Sequence, residues 1–435
     1  MRKLVSIWAV WLCIGTAFAG VSDFDVLDFG AVADGVTDNT QAFQKALNRA
    51  AEKGGVVHAP AGRYRFDGVL TIPRSVGLQG VAIGPHSLFY DRGTVLMPCA
   101  GRDDETSPPF ITMESSSILR GLGIVYPEQL PHDIHPYPYC IQTTGRMAGI
   151  IDVTIANAYN GIDCGSVNNE SHNLRDINIC ALRRGIYIDR TTDIGRIENV
   201  HLHSVAWWDL YYPERREEEI KAINDYTLEH LEGFIIGRCD WEYMVNCFVI
   251  WAKVGFRFIE TPVDPAGHDP QANILITQSG SDIGPLAVLV EKCQYHVGIA
   301  FENCQFFDGV LIEKENQGPV KFTNCVFVGW SEFLHGAHLV NKGRGTVYLT
   351  ACHFNAKNWI ECKWEPDIPF IQILNGALQM MNCRFMDNGN PPDAHIYLGK
   401  NVRSSVIIGN SVEGGKLKVT NKSKGEVKIL GNVQG

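Results

Sequence analysis

Four carboxylates stand where acid–base chemistry is conceivable. Gly161-Ile162-Asp163-Cys164 and Gly185-Ile186-Tyr187-Ile188-Asp189 share one frame. Strand alternation turns their isoleucines inward and Asp163, Tyr187 and Asp189 outward. Gly255-Phe256-Arg257-Phe258 adds Arg257 to that row, and with one inserted residue Leu210-Tyr211-Tyr212 adds Tyr211. The other two acids lie in Arg238-Cys239-Asp240-Trp241-Glu242-Tyr243, where alternation puts Asp240 and Glu242 on one side and Trp241 opposite. Parallel strands about 4.8 Å apart would hold such carboxylates at separations used for sugar-bond hydrolysis. Asp163, Asp189, Asp240 and Glu242 are therefore the acid–base candidates. Tyr187, Tyr211, Trp241 and Trp207-Trp208 are sugar-stacking candidates, and Arg238 and Arg257 would bind substrate. The plainer reading is that outward acids solvate a sheet and that Asp240 to Glu242 form an exposed turn.

These residues need a repeating scaffold. A small residue or cysteine followed five positions later by glycine and alternating apolar residues recurs at Ala156, Cys180 and Cys304. Short repeats of strands and turns without helices predict an all-β fold, a right-handed single-stranded parallel β-helix. A helix over 38–53, with Asp38 as N-cap and an apolar stripe of Ala42, Phe43, Ala46, Leu47 and Ala50, would cover its open end. Regular coils are expected from Gly149 to Tyr212, a charged excursion over 213–231, and coils again to Gly431. Asn303-Cys304, Asn324-Cys325 and Asn382-Cys383 repeat one dipeptide. With Cys180, Cys247 and Cys352 they predict a column of small, buried, free thiols rather than a disulfide framework. His201 and His203 project from one face without a third metal ligand, so no metal site is expected. His132 and His135 read as surface histidines.

Arg2-Lys3, an apolar stretch from Leu4 to Ile14 and Ala17-Phe18-Ala19 predict a signal peptide over 1–19, and a secreted or periplasmic domain over 20–435. No later segment is apolar enough to enter a membrane. The 435 residues carry 38 basic and 48 acidic side chains. Removing Arg2 and Lys3 leaves 36 against 48, a net −12 that disfavours nucleic acid as a partner. Local arginine clusters still permit an anionic polysaccharide. Oligomeric state is not set by the sequence.

Asp28-Phe29-Gly30-Ala31, Asp34-Gly35, Thr37-Asp38-Asn39-Thr40, Gly54-Gly55-Val56-Val57 and Pro60-Ala61-Gly62-Arg63-Tyr64 resemble the start of the pectate-lyase-like superfamily, in its rhamnogalacturonase/epimerase-like branch. The resemblance is close over 25–82 and looser beyond. It implies a parallel β-helix; lyases, hydrolases and epimerases share it. The Asn-Thr-Asp, Asp-Asp, Gly-His-Gly and Arg-Ile-Lys motifs of polygalacturonases do not occur, so that site does not transfer. The first expectation is a glycoside hydrolase cleaving a polysaccharide, pectic ones included, with no cofactor. The alternatives are a uronate polysaccharide lyase and a noncatalytic glycan-binding protein. The lyase would use Arg257 or Lys253, with Arg183-Arg184 in reach and calcium as its cation.

Overall fold

The computed structural model describes residues 23–81, 92–208, 216–262, 267, 270–329, 333–355, 367–388 and 391–435. The segment expected to be a signal peptide lies outside them. The chain winds into a right-handed parallel β-helix whose named strands all pair in parallel with the next coil. Three sheets run its length. The one that matters for function stacks Tyr139–Thr143, the C-terminal halves of Gly149–Cys164 and Asn173–Ile188, then Glu232–Ile236, Val254–Phe258, Leu286–Val290 and Gly309–Ile312. It is called the groove sheet below.

Inward side chains repeat at one register and stack along the axis. Phe327 lies 4.7 Å from Phe354, and Phe354 lies 5.1 Å from Phe385, with nearly parallel rings. The repeated Asn-Cys dipeptides are corners. Asn303, Asn324 and Asn382 take φ of 55°, 51° and 55°, in the left-handed region asparagine tolerates better than most residues. Asn324 Nδ2 donates to Asn303 Oδ1 at 2.8 Å, and Asn246 repeats the contact on Asn199 at 3.0 Å. The cysteine after each asparagine turns inward, and its Sγ lies near the carbonyl two residues back, as at Cys325 and Thr323. The described cysteines are all free thiols. Cys180 departs from the expected column and packs outside the main core with Leu182 and Trp207.

The end is covered by α1, Thr40–Ala51, shorter than the expected 38–53. Asn39 occupies the N-cap because its side chain is tied to the preceding loop: its amide bonds the Val32 carbonyl and its Oδ1 accepts from Val32 N. Asp38 Oδ1 accepts from Thr40 N at 3.0 Å and Asp67 N at 3.1 Å, joining the helix start to the next turn. Phe43 seats the helix against Tyr64 and Phe66, 5.1 and 5.0 Å away.

The excursion begins earlier than expected. α2 covers Val205–Trp208 and α3 covers Glu217–His230. The strand stacked on Ile186 is that of Phe234, so Leu210 and Tyr212 do not supply it. Tyr211 lies outside the described residues.

Two stability predictions follow from this packing. Phe43→Ala should cost about 3–5 kcal/mol, seen as a lower urea midpoint; an unchanged midpoint would remove α1 from the folded core. Asp308 is buried and accepts from Gly284 N, and burial pushes its carboxyl up to about 8. The folded value exceeds the unfolded one. Its contribution is therefore complete below about pH 4 and lost as pH rises towards about 8. Asp308→Asn keeps the acceptor and cannot ionise. It should flatten the fall in urea midpoint between about pH 5 and 8, and an identical fall in both proteins would refute the assignment.

Candidate active site

On the groove sheet, parallel alternation points every second side chain to solvent, and α3 stands beside that face as a wall. Tyr159, Arg183, Arg184, His230, Glu232, Lys253 and Arg257 line a cavity of about 310 Å³ there. Glu232 pairs in register with Arg184 and with Val254, so the cavity spans three coils. His230 comes from the last turn of α3. A second cavity, of about 530 Å³, shares Glu232, Lys253 and Arg257 and extends along the axis.

Most of these cations are held in place by acids. Arg257 Nη1 meets Glu232 at 2.6 Å and its Nη2 meets Glu291 at 2.7 Å, which keeps the guanidinium charged. Arg183 is ion-paired with Glu105, which also accepts from Asn160 at 3.2 Å. Lys253 is exposed and has no ion-pair or hydrogen-bond partner among the described residues. Among the described residues it is thus an unpaired cation lining a groove whose Arg183 and Arg257 are held by acids. Tyr159 is hydrogen-bonded to Tyr226 of α3; burial first, and Tyr159 next, hold the Tyr226 phenol above its usual range. Tyr226 also lies 4.3 Å from His230, ring to ring. The groove thus combines carboxylate-binding cations with phenol and imidazole groups that carry protons.

The carboxylates named from sequence lie elsewhere. Asp163 does share the row that includes Tyr187 and Arg257, and Asp189 directly follows the end of its strand at Ile188, but both are buried. Asp163 Oδ1 accepts from Gly165 N and Ser166 N at 2.8 Å, and its Oδ2 accepts from Gln142 at 2.6 Å. Asp189 accepts from Tyr187 Oη at 2.6 Å, Arg190 N at 2.7 Å, Arg238 N at 2.8 Å and the Thr261 hydroxyl. The carboxylate therefore folds back on the turn that ends its strand. Burial and Asp189 push the Tyr187 phenol far up.

Asp240 and Glu242 do not share a face, because a bulge interrupts the register between Cys239 and Glu242. Trp241 takes up the extra residue at φ 58° and stands 62% exposed. Glu242 turns into the core and meets His172 Nε2 at 2.9 Å, while His172 Nδ1 meets Asn169 at 2.9 Å. Asp240 accepts from Gln294 at 3.4 Å on a corner. Arg238 is buried. Trp207, in α2, is buried against Cys180, Leu182 and Ile223 of α3, and Trp208 packs 5.2 Å from Trp251 and 5.7 Å from His203, so neither is an open platform. His135 is paired with Asp103 and Asp133 at the surface, which raises its pKa.

Of the residues expected for a lyase, Arg257 or Lys253, both line this cavity; of the other basic groups noted, Arg183 and Arg184 line it too, while Arg238 is buried elsewhere. Sequence reading missed Tyr159, Glu232 and His230. The last two flank the end of the excursion, and their role depends on where α3 docks. The local sequence does not encode that docking.

Asp189→Ala would take this acceptor from Arg190 N and from the Tyr187 and Thr261 hydroxyls, and leave Arg238 N with Thr261 Oγ1 alone. It should lower stability by about 3 kcal/mol or more, read from urea or thermal melts. A variant that kept wild-type stability and lost activity alone would instead restore Asp189 as a catalytic candidate.

Residues 24–95 match the family model described as Rhamnogalacturonase A/epimerase, pectate lyase-like. Over 70 residues the chain is 46% identical to mannuronan C5-epimerase AlgE2 of Azotobacter vinelandii, a stretch making 14% of this chain and 7% of that protein. Over 70 residues it is 40% identical to Alginate lyase 7 of the same organism, 14% of this chain and 8% of that protein. The chain thus spans under a tenth of the length of these two relatives. The A-module of mannuronan C-5 epimerase AlgE6 from Azotobacter vinelandii has a similar fold, with a TM-score of 0.57 at 17% identity over 95% of this chain and 99% of that one. With that family match in its first coils and a parallel β-helix throughout, the chain is similar to the pectate-lyase-like superfamily.

Proposed function

We propose that the protein is a carbohydrate-active enzyme acting on uronate polysaccharides by removing the proton beside the sugar carboxylate. The observation that carries this reading is Lys253, a cation without a partner among the described residues, in a groove with Arg183, Arg184 and Arg257. A carbanion beside a carboxylate forms only if that carboxylate's charge is neutralised, and Lys253 is placed to do this. Tyr159 and His230 are the proton carriers within the same cavity. If the proton returns on the opposite face, the outcome is epimerisation. If the bond from the neighbouring carbon to the glycosidic oxygen breaks, a double bond forms, the oxygen takes a proton, and the outcome is chain cleavage by elimination. The relatives named as mannuronan C5-epimerases and as an alginate lyase support this substrate class. Among the described residues, no group of three or more His, Cys, Asp or Glu side chains could hold a metal ion, so no step is assigned to calcium. Hydrolysis by paired carboxylates has less support, because Asp163, Asp189 and Glu242 are buried and bonded within the scaffold.

The test uses the chain from Gly20 on polymannuronate and polygalacturonate in deuterated water. Reducing ends, ultraviolet absorbance of unsaturated uronates and deuterium at the carboxylate-bearing carbon are followed together. Deuterium uptake, with or without absorbance, is the expected result. Reducing ends alone would return the protein to the hydrolases. Lys253→Ala should lower kcat/KM about 100-fold while leaving the thermal melt unchanged, since the side chain is exposed. Activity within about twofold of wild type would sink the role given to Lys253.

A further inference from the structure

Glu105, in the loop between Thr94–Pro98 and Ile111–Met113, brings a carboxylate to two arginines that line the cationic cavity. Both of its oxygens accept from Arg183 Nη1. Arg184 Nη1 lies 4.0 Å away, and Asn160 Nδ2 donates at 3.2 Å. Asn160 is buried, and the same amide donates to the Tyr137 carbonyl at 2.9 Å, which fixes its direction. Among the described residues, Glu105 is the one acid in ion-pair reach of Arg183 or Arg184. Two guanidiniums thus share a single carboxylate and keep positive charge between them. Arg257 has the opposite balance, one guanidinium between Glu232 and Glu291. The loop does not depend on the Glu105 carboxylate. Asp104 closes its turn, accepting from Thr106 N at 2.9 Å and from the hydroxyls of Thr106 and Ser107. Asp103 N donates to the Pro136 carbonyl at 2.8 Å. The Glu105 oxygens meet no backbone group among the described residues, and the side chain is 26% exposed.

We propose that Glu105 holds, in the free protein, the place of a second substrate carboxylate, and that a uronate beside the reacting sugar displaces it from Arg183 and Arg184. The inference rests on the uronate reading above and adds a competing group to it. A fixed amide beside two guanidiniums is a carboxylate site whichever molecule supplies the carboxylate. Exchange keeps the arginines paired, so only an accessible side chain has to move. A site already filled lowers the apparent affinity of an incoming carboxylate. A single uronate therefore gains little here. A chain also held at Lys253 brings its second carboxylate at high local concentration.

The experiment measures turnover of polymannuronate and the thermal melt of Glu105→Gln, which keeps an oxygen for Asn160 and removes the charge. Because Asp104 holds the loop, the melt should stay within about 2 °C of wild type. The variant's kcat/KM should rise about fivefold through a lower KM, the scale of one exposed ion pair. In an Arg183→Gln background the same change should move kcat/KM by less than about twofold. A fall or no change in kcat/KM with Glu105→Gln, whatever the melt does, makes Glu105 a brace of the arginines and overturns the inference. An equal rise in both backgrounds overturns it too, since net charge alone would then account for the gain. Either result leaves the uronate reading standing. Wild type that takes up no deuterium on polymannuronate or polygalacturonate overturns the uronate reading and this inference with it.

Discussion

Every coil must turn its corners without burying an unpaired backbone group, and the rest of the molecule is arranged around that demand. A parallel β-helix satisfies its strands by stacking, and its bends carry coil-to-coil bonds too: Asn303 N donates to the Thr323 carbonyl and Asn324 N to the Thr350 carbonyl. Side chains tie the corners further. Asn246 bonds Asn199 and Asn324 bonds Asn303 side chain to side chain, and Asp163 and Asp189 each accept two backbone N–H groups. Because the same corner recurs in each coil, one residue type at one offset serves many times.

That demand explains why the acids nominated from sequence serve the scaffold. Asp163 is the last residue but one of its strand and Asp189 the first after its strand, where each coil leaves the groove sheet. A short carboxylate at such a point reaches the next N–H groups more readily than it reaches solvent. Glu242 is a different case. It is carried inward by the bulge at Trp241, and His172 with Asn169 then satisfies one of its oxygens. Alternation arguments assume uninterrupted strands, and one extra residue reverses the face of everything after it.

The scaffold was largely legible for the same reason. The spacing of Gly161, Gly185 and Gly309, the opening turns around Asp34 and Asp38, and the Asn-Cys dipeptides are local features that report local geometry. The groove was legible only in its cations. Strand phase turns Arg257 outward, but Arg183 and Arg184 are consecutive and alternation alone cannot turn both to one face. Glu105 reaches Arg183 from 78 residues away, and His230 depends on how α3 lies against the coils. Contacts made by an excursion are set by tertiary packing and leave no periodic trace.

The groove's charge arrangement bears on how a protein of net −10 can hold a polyanion. Attraction from a distance is weak at that net charge and is screened beyond about 8 Å at physiological salt. Recognition must then be short-ranged. Arg257 is braced by Glu232 and Glu291, so its guanidinium is fixed before substrate arrives, at the expense of part of its pull on a second carboxylate. Lys253 on the adjoining coil edge has no such brace among the described residues and keeps its full charge available. One set of cations therefore shapes the groove, and on the proposed reading the other would meet the carboxylate of the reacting sugar. An even row of unpaired cations would bind any polyanion with little regard to position. A lysine with no ion-pair partner among the described residues, beside Tyr159 and His230, would on that reading select the one sugar at which a proton can move.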